Sequence, residues 1–313
     1  MRSHAGAIHR SQMGRPPGTD RRATIFRRFC RRVEAKSYQI RDAEPTRVPI
    51  SALHGAELSL AHMRRACENS SAMNSVPILL SGVGVATASG VFAWGAVAPS
   101  AQLFGPTLRR TGNRATLALT FDDGPNPAIT PALLKLLERY DARATFFQIG
   151  EHVRAFPALS KDVAQRGHSL GNHTDTHPRL TFLSPGRIRD ELARCNDALA
   201  AATGQTLRWM RPPYGFRGPQ LESALRRQGE NARVVMWSMS GRDWKLQTEE
   251  RLIKRLRGVR GGDIVLLHDG DHRTPQGDRR NTVAALKYWL PRWKDAGIRL
   301  VSLDEAAQAG FAG

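Results

Sequence analysis

From residue 114 onward the chain alternates short apolar runs with longer amphipathic ones, and this rhythm constrains its fold more than any other feature. The runs at 115–121, 144–149, 168–172, 208–210, 234–237, 264–268 and 300–303 have the length and composition of strands. Between them, 130–140, 157–165, 185–202, 218–228, 248–257 and 281–295 read as helices; in 185–202, Ile188, Leu192, Cys195 and Leu199 share one face. Strand-then-helix repetition implies parallel strands with helical crossovers, in an open sheet or a barrel. Asp122 and Asp123, His173, Arg211 and His268 all stand where an apolar run ends. In a parallel α/β barrel that edge carries the active site, so their recurrence there predicts one shared site.

The N-terminal third is of another kind. Residues 1–72 are rich in Arg and interrupted by Pro16, Pro17, Pro45 and Pro49, and they read as a basic, disordered or weakly helical extension. A start at Met73 is an alternative. No charged residue occurs from Asn69 to Leu108, and 76–98 is an apolar stretch long enough to cross a bilayer, although its glycines weaken it. We therefore expect three parts: the extension over 1–72, a signal anchor or transmembrane segment with linker over 73–104, and a catalytic domain over 105–313. Basic residues ahead of the span fit a catalytic domain outside the cytoplasm, membrane-anchored if the segment stays and secreted or periplasmic if it is cleaved.

The formal net charge of +19 is spread over the chain rather than gathered in one patch. Such charge suits an anionic polymer or a membrane surface, but it also arises from plain arginine-rich composition. No basic helix with base-reading residues and no aromatic-basic platform is visible, so nucleic acid is not an expected partner. Cys30, Cys67 and Cys195 show no metal spacing and argue against a disulfide framework; Cys195 reads as a small buried residue.

Five segments carry the chemistry: TFDDGP at 120–125, HTDTH at 173–177, RPPY at 211–214, GRDW at 241–244 and LLH at 266–268. Successive strand residues point to opposite sides, so Asp122 and Asp123 need not do the same job; one can bind a metal while the other acts as a base. On a helical turn, His173 and His177 would present both imidazoles on one face to a zinc-type ion. Two histidines and an aspartate leave coordination positions open for water and substrate. The prolines after Arg211 make an ordered turn, from which a guanidinium can orient a carboxylate. An Asp such as Asp243 beside His268 would favour the imidazolium and make it a general acid. Each signal alone is as easily a turn, a cap or a surface residue. His168 reads as packed, and His152 and His272 as solvated surface positions.

In all five segments and in their order, the chain resembles the NodB-type polysaccharide deacetylase family (carbohydrate esterase family 4), over roughly residues 114–306. The resemblance implies a distorted (β/α) barrel with fewer than eight complete units. It implies Asp122 as general base, Asp123, His173 and His177 as metal ligands, and Thr174 as a tie on the ligand loop. Arg211 would orient Asp122, the Tyr214 backbone N–H would stabilise the oxyanion, and Trp244 and Leu266 would line the acetyl pocket. His268 would protonate the leaving group, tuned by Asp243. The expected cofactor is a divalent metal, zinc first, with cobalt or another ion also accommodated by such ligands. The expected reaction is N-deacetylation of an extracytoplasmic glycan built on N-acetylglucosamine, with O-deacetylation of a polysaccharide such as xylan as its rival. A further alternative is an inactive glycan-binding or anionic-surface-binding protein. The basic loop over 270–281 has no assigned role in this reading.

Overall fold

The computed structural model describes residues 87, 89–227 and 232–310. The expected extension over 1–72 and most of the apolar stretch over 76–98 lie outside the described residues; 89–97 is helical. No helix among the described residues is long and apolar enough to cross a membrane.

Nine strands among the described residues form one sheet in the order β1-β6-β5-β4-β3-β2-β8-β7, with β9 also on β2. In chain order they are β1 (Thr107–Leu108), β2 (Thr116–Gly124), β3 (Ala144–Gln148), β4 (Ser169–Asn172), β5 (Trp209–Met210), β6 (Arg233–Val235), β7 (Met239–Ser240), β8 (Ile264–His268) and β9 (Arg299–Leu300). Every strand pairing is parallel. After β1, the α-helices are α1 (Thr130–Arg139), α2 (Gly150–Ala155), α3 (Pro157–Gln165), α4 (Pro185–Thr203), α5 (Pro219–Arg227), α6 (Glu249–Leu256), α7 (Arg280–Asp295) and α8 (Leu303–Gln308). The sheet curls into a distorted (β/α) barrel with fewer than eight complete units. Its seam is crossed by one stretch of chain: β6 pairs with β5 and β1, and a few residues later β7 pairs with β8.

Period-two alternation explains the two faces of β2. Leu117, Leu119 and Phe121 join the core under the helices, with Leu133 and Leu137 of α1 and Leu286 and Leu290 of α7. Ala118 faces the barrel interior with Phe147, Trp209, Val235 and Ile264. Leu303 of α8 packs into that same interior cluster, and the Leu303 N–H donates to Thr145 Oγ1 at the start of β3. Asp304 accepts from Trp209 Nε1 at 2.9 Å and from Ser169 Oγ at 2.5 Å, so α8 seals the N-terminal end. Solvent and ligand access is thereby left to the opposite edge, where the strands end.

Two expectations are corrected here. The run at 300–303 is not all strand: β9 ends at Leu300, and Ser302 and Glu305 form a reciprocal capping box that starts α8. The run at 234–237 is not one strand either, because the chain passes at Met236–Ser238 from one neighbour to another, with the Met236 N–H on Leu108 O and the Ser238 N–H on Ile264 O. Cys195 is buried on α4, as its apolar face required.

Phe146 is fully buried and stacks on Phe121 at 5.0 Å. Phe146→Ala should destabilise the domain by about 3–5 kcal/mol, read as a lower urea midpoint with an unchanged slope.

Candidate active site

Because all strands are parallel, their C-terminal ends share one edge, and Asp122 on β2 is the register partner of His268 on β8. Thr120 and Asp122 lie on the interior face of β2 by alternation. Arg211, directly after β5, spans both: its Nη1 donates to Asp122 Oδ1 at 2.7 Å and to Thr120 Oγ1 at 2.8 Å. Its Nε and Nη2 donate to the carbonyls of Val235 and Met236. The guanidinium is wholly buried and lies 4.2 Å from the Phe147 ring centroid. A charge so placed needs this full set of partners.

Strict alternation would turn Asp123 to the other face of the strand. A register shift between Asp122 and Gly124, together with a left-handed backbone at Asp123 (φ 70°), brings its carboxylate to the same site. Its Oδ1 lies 3.4 Å from His173 Nε2 and 3.3 Å from His177 Nε2. Burial alone would raise the Asp123 pKa, but the hydrogen-bond contact with His173 and the charge of His268 hold it below the usual carboxylate range. Burial drives the His177 pKa down to about 2, so this imidazole is neutral. His173 Nδ1 sits 2.8 Å from the Arg211 carbonyl, which only accepts, so Nδ1 carries a proton and Nε2 is the nitrogen turned to Asp123.

The two histidines do not share a helical turn, as the sequence reading expected. They leave an irregular loop after β4, with Thr174 (φ 68°) and His177 (φ 56°) in left-handed conformations. Such backbone persists only where surroundings impose it. Here the Thr174 N–H donates to Asn172 Oδ1, and the His177 N–H to Thr174 Oγ1. Glu191 on α4 accepts from the N–H groups of Asp175 and Thr176, and Asp175 is paired with Arg154 and Arg194.

On β8, His268 Nδ1 and Asp243 Oδ1 are 2.8 Å apart, while Asp243 Oδ2 accepts from the His268 N–H and from Thr282 Oγ1. Burial opposes charge on this imidazole, but the charge and hydrogen bond of Asp243 prevail and push its pKa up to about 9. Trp244, half exposed, meets the His268 ring edge-on at 5.3 Å. Leu266 is buried two residues before His268, on the same face of β8. Tyr214, also left-handed (φ 59°), stands edge-on to His177 at 4.6 Å.

The family profile described as Polysaccharide deacetylase matches residues 109–232. A chitooligosaccharide deacetylase of Azorhizobium caulinodans is 35% identical over 210 residues, covering 64% of this chain and 99% of its own. The chain belongs to the NodB-type polysaccharide deacetylase family. A peptidoglycan-N-acetylglucosamine deacetylase of Bacillus cereus is 35% identical over 63% of this chain and 70% of its own. Among solved structures, a carbohydrate esterase family 4 pseudoenzyme from Bacillus anthracis superimposes with a TM-score of 0.58 at 28% identity, covering 64% of this chain and 68% of the other.

As a polysaccharide deacetylase the chain is a hydrolase, and its ligand set fits a divalent metal. Asp123, His173 and His177 each offer one atom, all within 4.8 Å of one another and all buried. Asp123 Oδ1 has no hydrogen-bond partner among the described residues, so a cation would satisfy an otherwise orphaned buried oxygen.

Sequence reasoning missed several residues of this deacetylase site. His152 is buried, not solvated, with Nδ1 2.9 Å from the Asp123 carbonyl. His272 is not a free surface residue either: its ring stacks on His177. Asp269 is buried against Gly124, accepts from Thr130 Oγ1 at 2.5 Å, and is raised by burial to about 7. Its position next to His268 was the only available signal. Glu191 gave none, since a helical Glu is ordinarily solvated. His168 is packed as expected, against Phe146, and burial lowers it to about 4.

If His268 must be protonated to act, turnover should fall as pH rises through about 9. Asp243→Asn removes the group that raises this pKa, so the alkaline limb of the pH–kcat profile should move to lower pH. An unmoved limb would detach it from His268.

Proposed function

We propose that this deacetylase removes N-acetyl groups from N-acetylglucosamine-type units of an extracytoplasmic glycan: peptidoglycan, a chitin-like oligomer or a lipid-linked sugar. The observation that carries the reading is the pairing of Asp122 with His268 on adjacent strands beside the Asp123–His173–His177 cluster. One of the pair is held by a buried arginine, the other by a buried carboxylate. Amide hydrolysis needs a base for water and an acid for nitrogen, and these are two differently prepared groups side by side. The two relatives support the substrate class, since one is named for chitooligosaccharides and the other for N-acetylglucosamine in peptidoglycan.

In this mechanism Asp123, His173 and His177 hold the cation, zinc first, with cobalt or another divalent ion also accepted. Bound there, it would polarise the acetyl carbonyl and acidify water. Asp122 keeps Oδ1 on Arg211 and takes the proton of the attacking water at Oδ2. The Tyr214 backbone N–H donates to the oxygen that gains charge. Trp244 and Leu266 enclose the acetyl methyl, and Thr174 holds the ligand loop. His268 Nε2 protonates the nitrogen as the carbon–nitrogen bond breaks, releasing acetate and a free amine, with Asp243 keeping the imidazole charged and aimed. The apolar stretch over 76–98 anchors or exports the domain, so the reaction takes place outside the cytoplasm.

The purified full chain should release acetate from N-acetylglucosamine oligomers or peptidoglycan, lose this with EDTA and regain it with zinc. Release from acetylated xylan alone would turn the reading to O-deacetylation. No acetate from any of these, with zinc bound, would point to a binding protein. Asp122→Asn should keep its zinc while turnover drops by about 10²-fold or more; parallel loss of both would sink the base assignment.

A further inference from the structure

His173 and His177 are held in different ways. The other nitrogen of His173 is fixed by the Arg211 carbonyl, the usual arrangement for a metal-bound imidazole. The other nitrogen of His177, Nδ1, is buried and has no hydrogen-bond partner among the described residues. Apart from the 3.3 Å approach of Nε2 to Asp123 Oδ1, its ring is set by packing: His173 edge-on at 5.0 Å, Tyr214 edge-on at 4.6 Å, and His272 stacked at 4.5 Å with 24° between planes.

Of these three, His272 alone comes from the loop over 270–281, and that loop is anchored. Asp271 accepts from the Arg273 N–H and from Arg279 Nη2, both at 2.9 Å, and Asn126 Nδ2 donates to the Gly277 carbonyl. Gly270 runs so close to the Asp123 carbonyl that a Cβ there would come within 2.0 Å of its oxygen. The His272 ring also stands edge-on to Tyr214 at 5.5 Å. Its Nδ1 lies 3.9 Å from Asp123 Oδ2, whereas His173 and His177 approach Oδ1.

We infer that His272 is a positioning residue, whose stacked ring fixes the imidazole of His177 for metal binding where a hydrogen bond ordinarily would. The inference rests on the reading of His177 as a metal ligand. What it needs from residue 272 is an aromatic plane, not a nitrogen.

The test is zinc affinity of the full chain, measured by competition with a chromogenic chelator. His272→Ala and His272→Gln should each raise the zinc Kd between about twofold and tenfold, the range for a lost aromatic contact. His272→Phe should bind as the parent does. Thermal unfolding of the zinc-free proteins should not change, and at saturating zinc kcat should recover further than kcat/KM at limiting zinc. Loss of affinity in His272→Phe equal to that in His272→Ala would overturn the inference and make His272 a ligand through nitrogen. Unchanged affinity in all three variants would overturn it as well. His177→Ala tests the underlying reading separately: if it binds zinc normally the metal site itself is misassigned, whereas if it loses zinc and His272→Ala does not, only the positioning role fails.

Discussion

A single buried guanidinium organises this site. Through its side chain Arg211 holds Asp122 and Thr120 on β2 and the carbonyls of Val235 and Met236 at the end of β6. Through its backbone it accepts from His173 and donates to Asn172 at the end of β4. The proposed base, an imidazole of the proposed metal site and three separate strands are therefore registered against one residue. A fully buried charge tolerates no missing partner, and removing one partner of such a pair costs about 3–5 kcal/mol. The same penalty keeps the arrangement in a single geometry.

Around this centre the fold repeats one device: a segment at the strand ends is held by a buried carboxylate from elsewhere. Glu191 holds the loop carrying the two histidines, Asp243 holds His268, and Asp269 sits against Gly124 under the strand end that carries Asp123. Each carboxylate accepts from backbone N–H or hydroxyl donors, and together they keep left-handed residues such as Asp123, Thr174 and His177 in place. That backbone is costly for residues with a Cβ. The cost falls where side chains must converge on one point, which a regular strand, with its alternating directions, does not allow.

Much of the fold was legible because parallel sheets with helical crossovers write a period-two and period-3.6 rhythm into sequence. The long strands β2, β3 and β8 and the helices α1, α4 and α7 fall where that rhythm places them. The short elements β1 and β7, and the helix α8, were not legible. β1 and β7 span two residues each, and α8 hides behind an apolar run that looks like a strand until the Ser302–Glu305 box is seen. The same limit applied to His152 and His272. A histidine outside a motif looks solvated until the chain is folded around it.

By itself the sequence determined which residues could do the chemistry and which sheet edge they would share, because motif residues follow apolar runs and parallel strands end together. It also determined the family, through five motifs in order. Only the tertiary structure decided how those residues meet. The turn of Asp123 onto the face of Asp122 depends on a register shift, the convergence of His173 and His177 on loop backbone held by Glu191, and the raised pKa of His268 on its contact with Asp243. These are contacts between residues far apart in the chain, set by packing and burial, and no local pattern of residues encodes them.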